Sequence, residues 1–412
     1  MVNNSRLDDR EPKFSSALPR VASWWTRERA ETRARYPRLW PRLAWLWVHP
    51  AVLLLVLAVV VPGSLGGVIH GGDADLFRNA GDSMLGPRFF DVFSNRGLQI
   101  GPVYLLALGV VSKLVAAAGL PTAFVLAALQ AAGVTWLAVV TAKRLARRSG
   151  ADEYAAQWAV GVPMVLGGLL AEAVGNGHPE EILLGLLLAN AAIGASENRR
   201  FVPGLLVGLA TGTKLWGVLG APLLLVGRRP AHIARRCLVA AAVVTFCYGP
   251  FFAFGEVSTF TFQWGMTSVP LVALIAPWLH GTGWSLRVVQ GVVAGIAGSF
   301  VALRRRGSPL PVVIVVIAVR LLLDPVRQLY YSGPLVVVML LWLWTTPSIV
   351  GIAWKVGFAA AVPAIILVPY LAPRALVDAV STVLYIVVPL WVLWRDRSAA
   401  LDRSGQGQAV TS

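Results

Sequence analysis

The chain has 412 residues, of which 57% are hydrophobic and 14% are charged, and its formal net charge at pH 7 is +16. Soluble globular domains contain about 25% charged residues. Apolar runs such as residues 51–61 and 312–319 contain no charged residue, and about 20 apolar residues suffice to span a bilayer as a helix. This composition excludes an ordinary soluble domain and predicts an all-α integral membrane protein.

The basic residues show how the chain is oriented in the membrane. Most of the 36 Lys and Arg residues lie in the two tails or in the short runs 143–148, 199–200, 228–236 and 304–306. Lys and Arg accumulate in cytoplasmic loops, so we expect these runs and both termini on the cytoplasmic side of the plasma membrane. Charge distributed in this way fits contact with membrane lipids and argues against nucleic acid as a partner.

Three regions follow from this orientation. Residues 1–47 form a basic cytoplasmic tail without a cleavable signal pattern, residues 48–394 form the transmembrane domain, and residues 395–412 form a cytoplasmic tail that we predict to be disordered. The apolar segments of the domain predict a bundle of about 12 transmembrane helices.

Two segments of the domain are unusual. Residues 100–120 are predicted to form an interfacial helix after the first outer loop, because only one full crossing fits before the run at 143–148. Residues 201–213 and 215–227 are short for crossings, so we expect a helical hairpin with Lys214 at its tip. The outer loop 255–283 is mixed apolar and polar, which favours a short interfacial helix that covers a cavity.

The first outer loop places two carboxylates, Asp73 and Asp75, directly after the first span in a stretch flanked by glycine. A carboxylate at this position is a candidate general base that takes a proton from an acceptor hydroxyl. The alternative is a solvated loop in which one of them caps the helix that starts near Leu76. The spacing alone does not separate these two interpretations.

The second outer loop contains His178, Glu180 and Glu181 around a proline. These side chains are candidates for binding sugar hydroxyls. A divalent metal is a weaker hypothesis, since no zinc-type spacing is present, and we predict no cofactor. The alternative is a Pro-Glu-Glu helix start, where acidic side chains interact favourably with the helix dipole.

Two further groups of polar residues lie where lipid would make them costly. Lys214 is a candidate for binding the phosphate of a lipid-linked substrate, or else it reaches the interface or pairs with an outer carboxylate. The other group combines phosphate-binding arginines and sugar-binding tyrosines, although tyrosines also form interfacial belts. Its members are Arg320, Asp324, Arg327, Tyr330 and Tyr331.

The order of these features resembles the GT-C superfamily of membrane glycosyltransferases, and more closely glycosyltransferase family 87. The resemblance rests on Asp73 with the following Phe77-Arg78 pair, on the polar outer motif at residues 175–181, and on the segment 203–214 that ends at Lys214. Trp284-Ser285 and the later Tyr330-Tyr331 pair complete it. The chain departs from the family's common Gly-Gln-Val-Asn pattern, with Gly-Asn-Gly-His-Pro-Glu-Glu in its place.

This resemblance implies an actinobacterial enzyme that transfers mannose or arabinofuranose from a polyprenyl-phosphate donor to a glycan or glycolipid acceptor, with inversion and without a nucleotide sugar. It also implies that the first-loop aspartate is the base, and Asp73 matches best by its distance from Phe77-Arg78. The main alternative is a transporter or flippase of a lipid-linked or amphipathic solute. A third is an inactive relative that binds lipid or scaffolds an envelope complex.

Overall fold

A computed structural model of the protein describes residues 30–68, 73–227, 229–262, 271, 283–304, 309–346 and 350–409. These residues form helices and connecting loops, with no β-strand among them. The all-α prediction is therefore confirmed for this part of the chain. Most of the outer loop 255–283 lies outside the described residues. So does the N-terminal segment 1–29.

The first half of the described chain contains a series of helices joined by short turns. In order they are α1 (Trp40–Val48), α2 (Pro50–Val68), α3 (Ala74–Ser83), α4 (Pro102–Ala117), α5 (Thr122–Ser149), α6 (Glu153–Leu166), α7 (Leu169–Gly175), α8 (Pro179–Ser196) and α9 (Val202–Thr213). Helix α2 passes through a π-helical turn at Val59–Gly63 that contains Pro62, a residue that cannot donate the usual backbone hydrogen bond.

The second half is also helical. It contains the 3-10 helix Leu215–Leu225, α10 (Pro230–Phe254), α11 (Gly283–Arg304), α12 (Leu310–Leu322), the 3-10 helix Leu329–Ser332, α13 (Gly333–Thr345), α14 (Ile352–Leu371) and α15 (Arg374–Ala409). Helix α15 continues through residues 395–409, where we predicted a disordered tail.

Three central helices are buried almost along their whole length. Buried apolar side chains fill the interior positions of α8 (Leu184, Leu186 and Leu188), of α12 (residues 312–318) and of α13 (residues 335–343). Longer apolar helices surround them and expose large hydrophobic side chains, such as Phe246 of α10 and Ile296 of α11. An exterior of this kind is compatible with lipid and costly in water, so the chain is a multi-pass membrane protein.

The number of crossings differs from the sequence-based expectation. Within the described residues, six helices are long and apolar enough to span a membrane: Pro50–Val68, Thr122–Ser149, Pro230–Phe254, Trp284–Arg304, Ile352–Leu371 and Arg374–Asp396. The pair α6 and α7, bent by 46°, makes a seventh if it counts as one span. The predicted total of about 12 also counted shorter apolar helices, and it is not confirmed. Helix α4 occupies the predicted interfacial segment.

The segment around Lys214 folds back on itself, as we expected. Lys214 has an extended backbone, with φ −158° and ψ 137°, between α9 and the following 3-10 helix. Gly217 then packs on Ala210, and Gly220 packs near Val207. Residues at similar distances from Lys214 along the two arms therefore contact each other, as in a hairpin.

Three of the four short basic runs meet at one end of the bundle. Arg144 pairs with Glu197, while Arg236 donates to the carbonyls of Arg199, Val226 and Ala195. The acidic outer motif lies at the opposite end of α8, whose 18 residues separate the two ends by about 27 Å at 1.5 Å per residue. The protein therefore has one basic end and one end that carries the candidate site.

Candidate active site

Gly177 brings the two outer loops together. Its φ is +81°, in the left-handed region that favours glycine. An added Cβ would lie 2.5 Å from the backbone nitrogen of Ala74, closer than real Cβ contacts allow. The first loop therefore packs directly on the second, and Asp73 donates its backbone N–H to the carbonyl of Asn176 at 3.4 Å.

His178 lies between two carboxylates. Its Nε2 is 3.2 Å from Oδ2 of Asp73, and its Nδ1 is 2.8 Å from Oε1 of Glu180. The imidazole is buried, whereas half of the Asp73 side chain is exposed. A neutral imidazole has only one N–H, so donation to both carboxylates requires the imidazolium form.

The electrostatics of this contact favour charged forms of both residues. The hydrogen bond from His178 holds the pKa of Asp73 below its usual range, although burial opposes this shift. Burial lowers the pKa of His178, but the Glu180 and Asp73 carboxylates outweigh it and the net shift is upward. Both shifts favour an ionised, half-exposed carboxylate next to a protonated, buried imidazole.

Lys214 contacts the same oxygen of Glu180 as His178 does. Its Nζ is 2.9 Å from Oε1 of Glu180 and 2.7 Å from Oε1 of Glu181, and all three side chains are buried. Of the roles considered for Lys214, pairing with an outer carboxylate is the one observed. The two glutamates begin α8, where the positive end of the helix dipole also favours them.

Glu181 continues the charged cluster toward Arg320. Its Oε2 accepts a hydrogen bond from Trp216 Nε1 at 3.0 Å and lies 3.8 Å from Nη1 of Arg320. The Arg320 guanidinium lies 4.3 Å from the ring centroid of Trp216 and 4.8 Å from that of Tyr331. Two aromatic rings therefore hold this cation in the protein interior.

Asp324 and Arg287 end the cluster. Arg320 on α12 lies 3.7 Å from Asp324, which follows the end of that helix at the predicted spacing of four residues. Nη1 of Arg287 is 2.8 Å from Oδ1 of Asp324. Anions and cations alternate throughout. We call the whole set the charged cluster; its members are Asp73, His178, Glu180, Lys214, Glu181, Arg320, Asp324 and Arg287.

The two tyrosines cover the charged cluster from the 3-10 helix Leu329–Ser332. The ring of Tyr330 stacks on His178 with centroids 4.1 Å apart and planes inclined by 10°. Tyr331 lies over Lys214 and Arg320. Phe77 contacts the other side of His178 edge-on at 5.2 Å, so aromatic rings fix the imidazole from two directions.

Three predicted residues lie apart from the charged cluster. Asp75 pairs instead with Arg78 at 2.9 Å, and the Asp75 side chain is 65% exposed. Arg327 points toward α15, where it donates to the carbonyl of Asp378 and to the hydroxyls of Ser381 and Thr382. Its other N–H groups bond carbonyls of α12, so Arg327 connects two helices.

Sequence reasoning overlooked Arg287, Trp216 and Gly177. A charged residue inside an apolar span is a functional candidate by default, and this rule would have identified Arg287 on α11. For Trp216, the only signal in the sequence was its position two residues after Lys214. In the described residues, no group of three or more His, Cys, Asp or Glu side chains is arranged to hold a metal ion.

These helices and the charged cluster define a membrane-embedded protein with a polar site at one end of its bundle. The model of glycosyltransferase family 87 matches residues 101–325, more than half of the chain. The chain therefore belongs to glycosyltransferase family 87, as its sequence motifs predicted, and it is a glycosyltransferase. The matched residues include every member of the charged cluster except Asp73. No curated protein and no solved structure matches the chain.

Proposed function

We propose that the protein transfers a sugar of mannose or arabinofuranose type from a polyprenyl-phosphate donor to a glycan or glycolipid acceptor, with Asp73 as the general base. The observation that carries this proposal is the half-exposed Asp73 carboxylate, held in its ionised form by a buried histidine. A base that must reach a substrate hydroxyl needs one accessible oxygen and a fixed orientation. Asp73 has both, because His178 engages Oδ2 and leaves Oδ1 for the acceptor.

The proposed reaction is a single displacement. Oδ1 of Asp73 takes the proton of the acceptor hydroxyl as the hydroxyl oxygen bonds to the anomeric carbon. The bond between that carbon and the donor's phosphate oxygen breaks, and the lipid phosphate leaves with the electron pair. Attack opposite the leaving group inverts the configuration. A phosphate leaving group needs positive charge rather than a proton donor.

The site end of the bundle would face the outside of the cell. The basic runs gather at the opposite end, and Lys and Arg are enriched on the cytoplasmic side of membrane proteins. With those runs inside, Asp73 and the charged cluster lie at the outer leaflet. A lipid-linked donor and an envelope acceptor meet there, and both termini are cytoplasmic.

The packing below the charged cluster supports an enzyme over a transporter. A solute path would require polar groups that continue toward the basic end. The described interior of α8, α12 and α13 is instead filled by fully buried apolar residues, among them Leu186, Ile314 and Leu340. Such packing closes the route on the cytoplasmic side of the cluster.

Transfer from radiolabelled polyprenyl-phosphate mannose and arabinofuranose, in membranes that contain the protein, tests this proposal. Asp73→Asn removes the base and should lower the rate by about 10²- to 10⁴-fold. Asp75→Asn is the matched control, since it changes a carboxylate two residues away that pairs with Arg78. The proposal fails if neither sugar is consumed, or if both variants retain the wild-type rate.

A further inference from the structure

A cavity of about 570 Å³ lies between α13, α14 and α15, beside the charged cluster. This volume is within the range of about 300–1,000 Å³ for small-molecule sites. Apolar side chains line most of it, including Met339, Phe358, Ile365 and Leu384, and the polar side chains gather near the loop after α12 and the start of α15. All of its lining residues lie beyond residue 325, outside the match to the family model.

The cavity is long and narrow. Its lining residues run from Arg374 to Val388 along α15 and from Ala372 back to Phe358 along α14. At 1.5 Å per residue, each of these stretches covers about 20 Å. An apolar channel that extends from a polar end into the middle of the bundle matches an amphiphile with one charged group and a long hydrocarbon chain.

The polar end carries an excess of positive charge. Arg374 pairs with Asp378 at 3.3 Å and donates to the carbonyl of Arg327. Arg327, Arg374 and Asp378 all line this end of the cavity, so its charged lining residues are two cations and one anion. The charged cluster, in contrast, has four anions and four cations when His178 is protonated. The cation accessible to a phosphate is Arg374, whose side chain is 44% exposed, rather than the buried Lys214 or Arg320.

One short helix connects the cavity to the charged cluster. Leu329 and Ser332 line the cavity, while Tyr330 and Tyr331, on the same 3-10 helix, cover His178, Lys214 and Arg320. The backbone from Arg327 to Tyr330 spans at most about 10 Å. A phosphate at Arg374, whose guanidinium contacts the carbonyl of Arg327, would therefore lie close to the tyrosines that cover the charged cluster.

We infer that this cavity holds the hydrocarbon chain of the lipid-phosphate substrate, and that Arg374 binds its phosphate. The inference rests on the proposed function, because it names the position of the lipid in that reaction. It assigns no phosphate contact to Lys214 or Arg320, which hold the glutamates of α8 in place.

Filling the cavity tests the position of the chain. Ala361 and Ala364 line the cavity, whereas the neighbouring Ala360 is exposed and does not. The probe is a radiolabelled polyprenyl phosphate without a sugar, bound to the purified full chain in phosphatidylcholine nanodiscs. Ala361→Phe and Ala364→Phe should weaken binding by about tenfold or more, while Ala360→Phe binds like the wild type. Equal binding by all three variants would overturn the inference.

Changing the head group tests Arg374. Arg374→Gln should weaken binding of polyprenyl phosphate by about tenfold and leave binding of uncharged polyprenol unchanged, because only the phosphate loses a partner. Displacement of the probe by phosphatidylglycerol as effectively as by unlabelled polyprenyl phosphate would overturn the inference, since the cavity would then be a general lipid site. Binding that depends on chain and phosphate, without sugar transfer, supports the cavity assignment and contradicts the proposed activity.

Discussion

Asp73 and His178 are 105 residues apart in sequence, yet Oδ2 of one lies 3.2 Å from Nε2 of the other. The contact joins the only half-exposed carboxylate of the charged cluster to a buried imidazole. Glu180 fixes the opposite nitrogen of the imidazole, so the histidine has a single orientation. In the proposed reaction, this arrangement would make His178 a positioning residue that influences the ionisation of Asp73.

Replacing His178 should therefore change the pH dependence of catalysis. His178→Gln leaves an amide that can still donate a hydrogen bond, but it removes the positive charge that also lowers the pKa of Asp73, while burial, which raises it, remains. The base must be deprotonated, so the acidic limb of kcat/KM should move to higher pH. Above the raised pKa of His178, the neutral imidazole has one N–H for two carboxylates, so Asp73 should lose its fixed orientation and wild-type activity should decline at alkaline pH. This decline should be absent from the variant.

The measurement is kcat/KM as a function of pH, which reports the pKa values of the free enzyme. His49→Gln is the matched control, because His49 is exposed and stacks on Trp45 far along the chain from the site. A His178→Gln enzyme whose pH profile coincides with that of the wild type would show that the histidine does not control the ionisation of Asp73.

The sequence predicted the membrane class, the family and the loops that supply the site, because these depend on local composition and motif order. It did not choose between Asp73 and Asp75 by spacing. Their difference is tertiary: Asp73 faces His178, and Asp75 turns to Arg78 three positions along the same helix. The sequence also did not show which cations contact a carboxylate. Whether Lys214 or Arg327 finds a carboxylate depends on how distant helices pack, which no local pattern records.

Gly177 should be essential for the approach of the two outer loops. Gly177→Ala adds a Cβ that would lie 2.5 Å from the nitrogen of Ala74, in addition to the cost of a left-handed alanine, about 1–2 kcal/mol. We expect Asp73 to be displaced from His178, with a loss of activity larger than the loss of stability explains.

Gly150→Ala separates the effect of backbone strain from the effect of moving the two loops apart. Gly150 has a similar φ of +74°, but no atom lies within 4 Å of its added Cβ. This variant should lose similar backbone stability and keep the transfer rate per folded molecule. Activity assays normalised to folded protein, measured by thermal unfolding, compare the two variants. Equal losses of activity would mean that strain, rather than loop separation, explains the Gly177 result.

Lys214 should stabilise the fold by neutralising Glu180 and Glu181. Lys214→Ala leaves two buried carboxylates without their shared cation, and breaking a buried ion pair costs about 3–5 kcal/mol. The free energy of unfolding in detergent measures this loss. Lys113→Ala, which changes an exposed lysine 3.9 Å from Asp82, should have little effect. The double variant Lys214→Ala/Glu181→Gln removes one charge of each sign and should recover part of the stability; if it is less stable than Lys214→Ala, the pairing does not explain the loss.

Tyr330 should act through its ring rather than its hydroxyl. The ring stacks on His178 at 4.1 Å, and an aromatic face stabilises a neighbouring cation by about 0.5–2 kcal/mol. Tyr330→Phe keeps the aromatic ring, so the alkaline limb of its kcat/KM profile should stay close to that of the wild type. Tyr330→Leu keeps an apolar side chain but removes the aromatic ring. The alkaline limb of its kcat/KM profile should move to lower pH, because the imidazolium of His178 is then less stable. kcat/KM measured across the alkaline range distinguishes the two variants, and a Phe variant as impaired as the Leu variant would assign the effect to the hydroxyl.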